Sequence, residues 1–300
     1  MNSGPPVIRI ESFAKRYGKV EAVRGIDLQV QHGEVFGFLG PNGAGKSTTI
    51  RCLLGLLRPT AGRMEVLGLD SVRDGVALRR RLAYVPGELR LPERLSGSDL
   101  VASIGRLRGG YDPARRDALA ERLRLDLHRT IRDLSTGNRR KVALLLAFLF
   151  DVELLVLDEP TNGLDPLMQH EFVGLVREAV AAGRTVFLSS HVLSEVQRIA
   201  DRVAVLRAGK VVVLGTVPEL RGRARQHVEV WFAGEPPEHE LASVPGLADV
   251  ALDGRRFTAA LSGSVQPLIE LLASHPVDAL RVEESDLEDA FLDLYGASEP

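Results

Sequence analysis

Cysteine is nearly absent: Cys52 is the only one among 300 residues, which excludes an intramolecular disulfide and with it the stapled scaffolds of small secreted domains. A surplus of positive charge is missing too. With 38 Lys and Arg against 40 Asp and Glu the formal net charge is −2, whereas a protein that coats nucleic acid needs concentrated cationic excess to displace counterions from phosphates. No nucleic-acid partner is expected. There is also no long apolar run. The longest stretch, residues 142–150, is closed by Asp151 and Glu153, well short of the roughly 18 to 20 residues a membrane-spanning helix requires, so membrane work would fall to a partner. The opening MNSGPPVIRI lacks the basic start and apolar core of a signal peptide, and the chain reads as cytosolic. Lysine is scarce, filling five of the 38 basic positions (15, 19, 46, 141 and 210). That bias points to GC-rich coding, and it makes a lysine inside a phosphate motif conspicuous.

An apolar content of 45% over 300 residues suffices for one large α/β domain and a smaller second one. Residues 7–13 and 26–30 alternate as strands do, with Tyr17 and Gly18 as a turn between them, and residues 35–39 form an apolar strand running into glycines. Residues 46–57 have helical spacing. Further strands are expected at 64–67, 82–85, 154–157, 185–189 and 203–206, most of them alternating with helical stretches. This pattern argues for a mostly parallel sheet covered by helices, with ligands at the carboxyl ends of its strands. Residues 98–107 and 113–125 read as helices with no strand between them, a helical insertion within 89–133. Beyond Pro218 the pattern changes again. Strands near 228–232, 248–252, 257–261 and 279–283, with helices near 265–273 and 286–295, suggest a small α+β unit of ferredoxin-like type. The expected domains are therefore 1–218 and 219–300.

Gly40, Pro41, Asn42, Gly43, Ala44, Gly45, Lys46 and Ser47, followed by Thr48, match the P-loop pattern G-x-x-x-x-G-K-[ST] between a strand and a helix. Glycines let successive amides point at phosphate oxygens, Lys46 reaches the β and γ phosphates, and Ser47 offers a hydroxyl to magnesium. Residues 154–157 then form an apolar strand that runs into two carboxylates, Asp158 and Glu159. In P-loop enzymes such an aspartate holds Mg2+ and a neighbouring carboxylate can polarise the attacking water, so ATP hydrolysis, and not binding alone, is expected.

Between these motifs lies Leu134-Ser135-Thr136-Gly137-Asn138-Arg139-Arg140-Lys141, and after them the run from Asp158 and Glu159 through Asn162 and Gly163 to Asp165 and Pro166. The first resembles the signature sequence of ABC ATPases, and the second resembles their Walker B and D-loop. The resemblance covers residues 7–217 and implies several roles. Tyr17 would stack on adenine; Asp165 would stand with the nucleotide-contacting residues; His191 would serve as the switch histidine beside the catalytic Glu159. It also implies a head-to-tail homodimer in which Ser135, Thr136, Gly137 and Asn138 of one subunit meet the ATP held by the P-loop of the other. Two departures stand out. Thr136 and Asn138 replace the commoner Gly and Gln, and Gly87 stands where the family has a glutamine after the proline, leaving Glu88 beside it as a substitute metal-sensing residue. The tail from Glu284 to Leu292 resembles the end of drug-export and sodium-export subunits. The family then implies an exporter ATPase on the cytoplasmic face of the membrane, moving a drug, antibiotic or lipid-like cargo through a separate permease docked on the helical insertion. The alternative within the family is a soluble ATPase acting on the ribosome or DNA.

Overall fold

Every residue of Val35–Leu39 is buried, and because successive side chains of a strand point to opposite faces, this strand must be covered on both sides. It lies inside a six-stranded sheet ordered Lys210–Thr216, Arg202–Arg207, Val35–Leu39, Thr185–Ser190, Leu154–Asp158, Leu82–Val85. The four pairings from Arg202–Arg207 across to the edge strand Leu82–Val85 are all parallel, as the run of strands alternating with helices leads one to expect. Parallel pairing puts the carboxyl ends together. Leu39 is level with Ser190 and Ser189 is level with Asp158, so the loops that leave these strands open at one edge of the sheet.

The computed structural model describes residues 4–223 and 226–283 and divides into two units, Met1–Leu214 and Gly215–Pro300. Within the first, a second sheet ordered Val20–Val30, Ile8–Tyr17, Ala61–Val66, Leu69–Asp70 is antiparallel throughout. Its Ile8, Ile10 and Phe13 share one apolar core with Phe36, Phe38 and Ile50. The P-loop helix, Lys46–Leu53, is shorter than the expected 46–57. Gly55 takes φ +64° and the amides of Leu56 and Leu57 both turn back to Arg51 O, closing the helix one turn early. A side chain at Gly55 would collide with Ser71 O, 2.1 Å from its Cβ. The helical insertion consists of Gly97–Arg108 and Pro113–Arg122. Ser96 caps the first with a reciprocal Ser96–Asp99 box, and Asp112 with Pro113 opens the second, both standard ways to satisfy the orphan amides of a helix start.

The second unit has one antiparallel sheet ordered Leu247–Asp253, Arg256–Leu261, Gln226–Phe232, Val277–Glu283. Helices Glu238–Leu241 and Gln266–Leu272 complete the order strand, helix, strand, strand, helix, strand, which is the split βαβ of ferredoxin-like domains. Val228, Val230, Phe232, Phe257 and Leu268 fill its core. The helix expected at 286–295 lies outside the described residues.

Candidate nucleotide site

The loop from Gly40 to Gly45 is wound tightly. Gly40 (φ +154°) and Gly45 (φ +108°) occupy backbone conformations that favour glycine. A Cβ at Gly40 would fall 2.3 Å from Leu206 O, and one at Gly45 would fall 2.6 Å from Ala22 O. Pro41, Asn42 and Gly43 are exposed, Ala44 is buried, and Ser47 and Thr48 are half-buried. Thr49 N makes the first bond of the following helix, to Gly45 O at 2.9 Å, so the amides of Lys46, Ser47 and Thr48 have no acceptor inside the helix. Such amides, at the positive end of a helix, suit phosphate. The buried Lys46 ammonium donates to Gly40 O at 2.6 Å and lies 3.2 Å from Glu159 Oε1.

At the adjoining strand ends, Asp158 is buried, with Oδ1 accepting from the Ser189 hydroxyl at 2.5 Å. Glu159 takes φ +50°, an uncommon region for a non-glycine residue. Its amide is held there by Ser189 O at 3.1 Å and Ser189 Oγ at 3.2 Å. The turned backbone sends the carboxylate between two bases: Oε2 is 2.7 Å from His191 Nδ1, while the buried Oε1 has no hydrogen-bond donor of good geometry and only the ion-pair contact to Lys46. Ser189 thus holds the Asp158 carboxylate and the Glu159 backbone, a function its sequence signals only weakly, as a small polar residue ending a strand beside the one that ends in Asp158. Near Asp158, burial first and the Asp158 charge second push the Tyr84 phenol up to about 12, so it stays protonated.

The remaining candidates are distributed around this centre. Ser135 caps the helix Thr136–Leu149, accepting from Asn138 N at 3.3 Å, and Ser135 and Thr136 are exposed. Gly137 packs against the D-loop so closely that a Cβ there would stand 2.6 Å from Gly163 O. Asp165 caps Pro166–Ala181 through Met168 N at 3.0 Å. Among the described residues, no hydrogen bond or ion pair joins 135–138 to 40–48. Tyr17 is exposed, with Lys15 Nζ 5.1 Å from its ring centre. Glu88 points outward to Arg90, 2.7 Å away, and that hydrogen bond holds its carboxyl below the usual range. The residue that abuts Asp158 is Gly87, where a Cβ would lie 3.2 Å from Oδ2.

Among the described residues no cluster of three His, Cys, Asp or Glu could hold a metal by itself. Magnesium does not ask for one, since it takes one or two carboxylates together with substrate phosphates and water. The Oδ2 of Asp158, lying against a glycine that has no side chain to cover it, fits such an ion, and Ser47, at the half-buried start of the P-loop helix, would be the candidate for a second protein oxygen.

Residues 23–162 match the family model described as ABC transporter. The chain is 39% identical over 306 residues, 96% of each chain, to the daunorubicin resistance ATP-binding protein DrrA3 of Streptomyces coeruleorubidus. This chain belongs to the ABC transporter family. It is an ATP-binding subunit, and it binds and hydrolyses ATP. It is also similar to the bacitracin transport ATP-binding protein BcrA of Bacillus licheniformis, with 30% identity over 298 residues and 97% of each chain covered. A dimeric ATP-binding cassette solved in a post-hydrolysis state with ADP and Pi shares the fold, with a TM-score of 0.65 at 20% identity over 70% of this chain and 98% of that one. ABC ATP-binding subunits dimerise and work with membrane permeases. Among the described residues of this ABC subunit, no helix is long and apolar enough to cross a membrane.

Proposed function

We propose that this ABC subunit powers efflux of a drug, antibiotic or lipid-like compound through a separate permease, from the cytoplasmic face of the membrane, as a head-to-tail homodimer enclosing two ATP molecules. The names of its relatives, a daunorubicin resistance protein and a bacitracin transport protein, support the cargo class. The helical insertion at 89–133 is the docking region for that permease, and residues 219–300, which follow the ATPase domain 1–218 in the sequence, form an accessory domain. One observation carries the chemistry: Glu159 is fixed by His191 through Oε2 while Oε1 faces the phosphate-binding Lys46.

In this arrangement the P-loop amides and Lys46 bind the β and γ phosphates, and Tyr17 stacks on adenine. Ser47 and Asp158 would hold magnesium, which when bound would neutralise charge on the phosphates. Glu159 orients a water in line with the γ phosphate and takes its proton on Oε1, while His191 keeps the carboxylate from rotating away. Ser135, Thr136, Gly137 and Asn138 are exposed or half-exposed and unattached to their own P-loop, which suits them to the γ phosphate of a second copy, with Asp165 beside them. Glu88, exposed beside the Asp158 strand end, relays to the permease.

The test is Glu159→Gln. Loss of the base should slow hydrolysis about 10²- to 10⁴-fold, roughly 3 to 5 kcal/mol, with ATP binding retained and an ATP-bound dimer accumulating in light scattering. Hydrolysis at the parent rate would remove Glu159 as base, and a monomer with ATP bound would remove the sandwich.

A further inference from the structure

Arg140 has no part in the roles assigned so far, yet it is 5% exposed and sits in the helix Thr136–Leu149. Its Nη1 donates to Pro86 O at 2.6 Å and its Nη2 to Gly87 O at 2.7 Å. Two bonds to successive carbonyls use the flat, rigid fork of a guanidinium, a geometry that a lysine ammonium does not reproduce. The loop so held is the one on Asp158, because a Cβ at Gly87 would lie 3.2 Å from Asp158 Oδ2. Among the described residues no carboxylate is within ion-pair distance of Arg140, and its Nε is buried without a partner. Burial disfavours the cation, and only the more distant charges of Asp158 and Glu159 favour it. Burying an arginine is costly. Here its two strong bonds both go to one loop, so what the burial secures is the place of that loop.

We propose that Arg140 is a positioning residue that seats the Pro86–Gly87 backbone against Asp158 and thereby sets the face Asp158 presents to magnesium and nucleotide. The inference rests on the magnesium reading of Asp158. A loop released from Arg140 can move over Oδ2 or away from it, and in either case the oxygen that must face the ion is no longer held open. Partners of this outer kind typically change metal affinity by about 10- to 100-fold when removed.

The experiment measures binding of a fluorescent, non-hydrolysable ATP analogue to the full chain while Mg2+ is titrated, in the parent, Asp158→Asn, Arg140→Gln, Arg140→Lys and Gly87→Ala, with thermal unfolding recorded for each. In EDTA the parent and Arg140→Gln should bind the analogue alike. The Mg2+ midpoint should rise about 10- to 100-fold in Arg140→Gln, with little rescue by Arg140→Lys, and adding Gly87→Ala should cost less than its effect alone, because both changes act through one loop. A lower unfolding temperature with an unmoved midpoint would make Arg140 a packing residue and overturn the proposal. If Arg140→Gln does not fold, Gly87→Ala, which leaves the arginine in place and crowds Asp158 directly, must raise the midpoint or the proposal fails. An unmoved midpoint in Asp158→Asn would bring down the magnesium reading and this inference with it; a moved midpoint there, with Arg140→Gln like the parent, would bring down this inference alone.

Discussion

Lys46 Nζ stands 3.2 Å from Glu159 Oε1, and the two side chains are only 6% and 13% exposed. Each charge offsets the burial of the other, so the cation proposed to serve the phosphates also holds the proposed base in place. Removing one member of a buried pair strands the other. Lys46→Ala should therefore abolish phosphate release and weaken ATP binding, and it should also cost about 3 kcal/mol in chemical unfolding. Adding Glu159→Gln to Lys46→Ala should recover part of that loss, since the stranded charge is gone. A fully additive pair of stability losses would mean that the contact carries no coupling.

His191 meets the other oxygen of the same carboxylate at 2.7 Å. Without it, Oε2 has no side-chain partner and Glu159 can swing from its post. His191→Ala should lower kcat by about 100-fold, the loss expected from misplacing a reacting group by about 1 Å, with KM for ATP little changed because, among the described residues, no hydrogen bond or ion pair joins the imidazole to the P-loop. A rise in KM with kcat preserved would place His191 in nucleotide binding instead.

Arg122 ties the helical insertion to the helix that begins after Asp165, bonding Glu171 at 2.6 Å and both oxygens of Glu178 at 2.7 Å. All three side chains are partly exposed, so Arg122→Ala should cost only about 1 kcal/mol, roughly 2 to 4 °C in unfolding temperature. The Arg122 hydrogen bonds hold Glu178 below its usual value. A carboxylate lowered in the folded state adds stability above its unfolded pKa of about 4.3, and that contribution disappears as pH falls through the lowered folded value. The gap between parent and Arg122→Ala should accordingly be full at neutral pH and shrink below about pH 4. A gap that does not change with pH would mean that Arg122 acts through packing.

Much of this was legible in the residues, for identifiable reasons. The strand ends carrying Leu39, Asp158 and Ser190 are short apolar runs stopped by glycine, acid or a pair of serines, and burial on both faces leaves such runs little choice but a parallel sheet. The four strands of the ferredoxin-like unit and its helix near 265–273 were legible from spacing, whereas the short helix Glu238–Leu241 was not, because it follows directly on a Pro-rich stretch. The early end of the P-loop helix was not, because Leu54, Leu56 and Leu57 continue the apolar spacing and it is the close approach of Ser71 O to Gly55 that turns the chain. Nor was the part of Ser189, since a serine at a strand end is ordinary until the neighbouring strand places a carboxylate beside it. Gly87 looked like a lost glutamine; the structure gives it a steric reason, a surface against Asp158 with no side chain on it.

In the proposed head-to-tail dimer, Gly137 offers a way to separate the half of the site that a chain would use for itself from the half it would offer to its partner. The glycine lies under Gly163 O, and a Cβ added to it would be 2.6 Å from that backbone oxygen, so Gly137→Ala must displace either the start of the helix capped by Ser135 or the D-loop that leads to Asp165. Overpacking of this sort costs about 1 to 3 kcal/mol. Because no bond joins 135–138 to the P-loop among the described residues, ATP should still bind to the variant with its parent affinity. Turnover should drop about tenfold or more, the equivalent of 1.4 kcal/mol or above in the barrier, since the displaced signature can no longer close on the nucleotide of the second copy. The decisive measurement is light scattering on Gly137→Ala combined with Glu159→Gln, with and without ATP. The Glu159→Gln chain should dimerise with ATP and the double variant should remain monomeric while carrying it. A double variant that dimerises as readily as Glu159→Gln would show that the signature segment does not form the second wall of the site, and one that loses ATP altogether would show that the two halves are not separable within the chain.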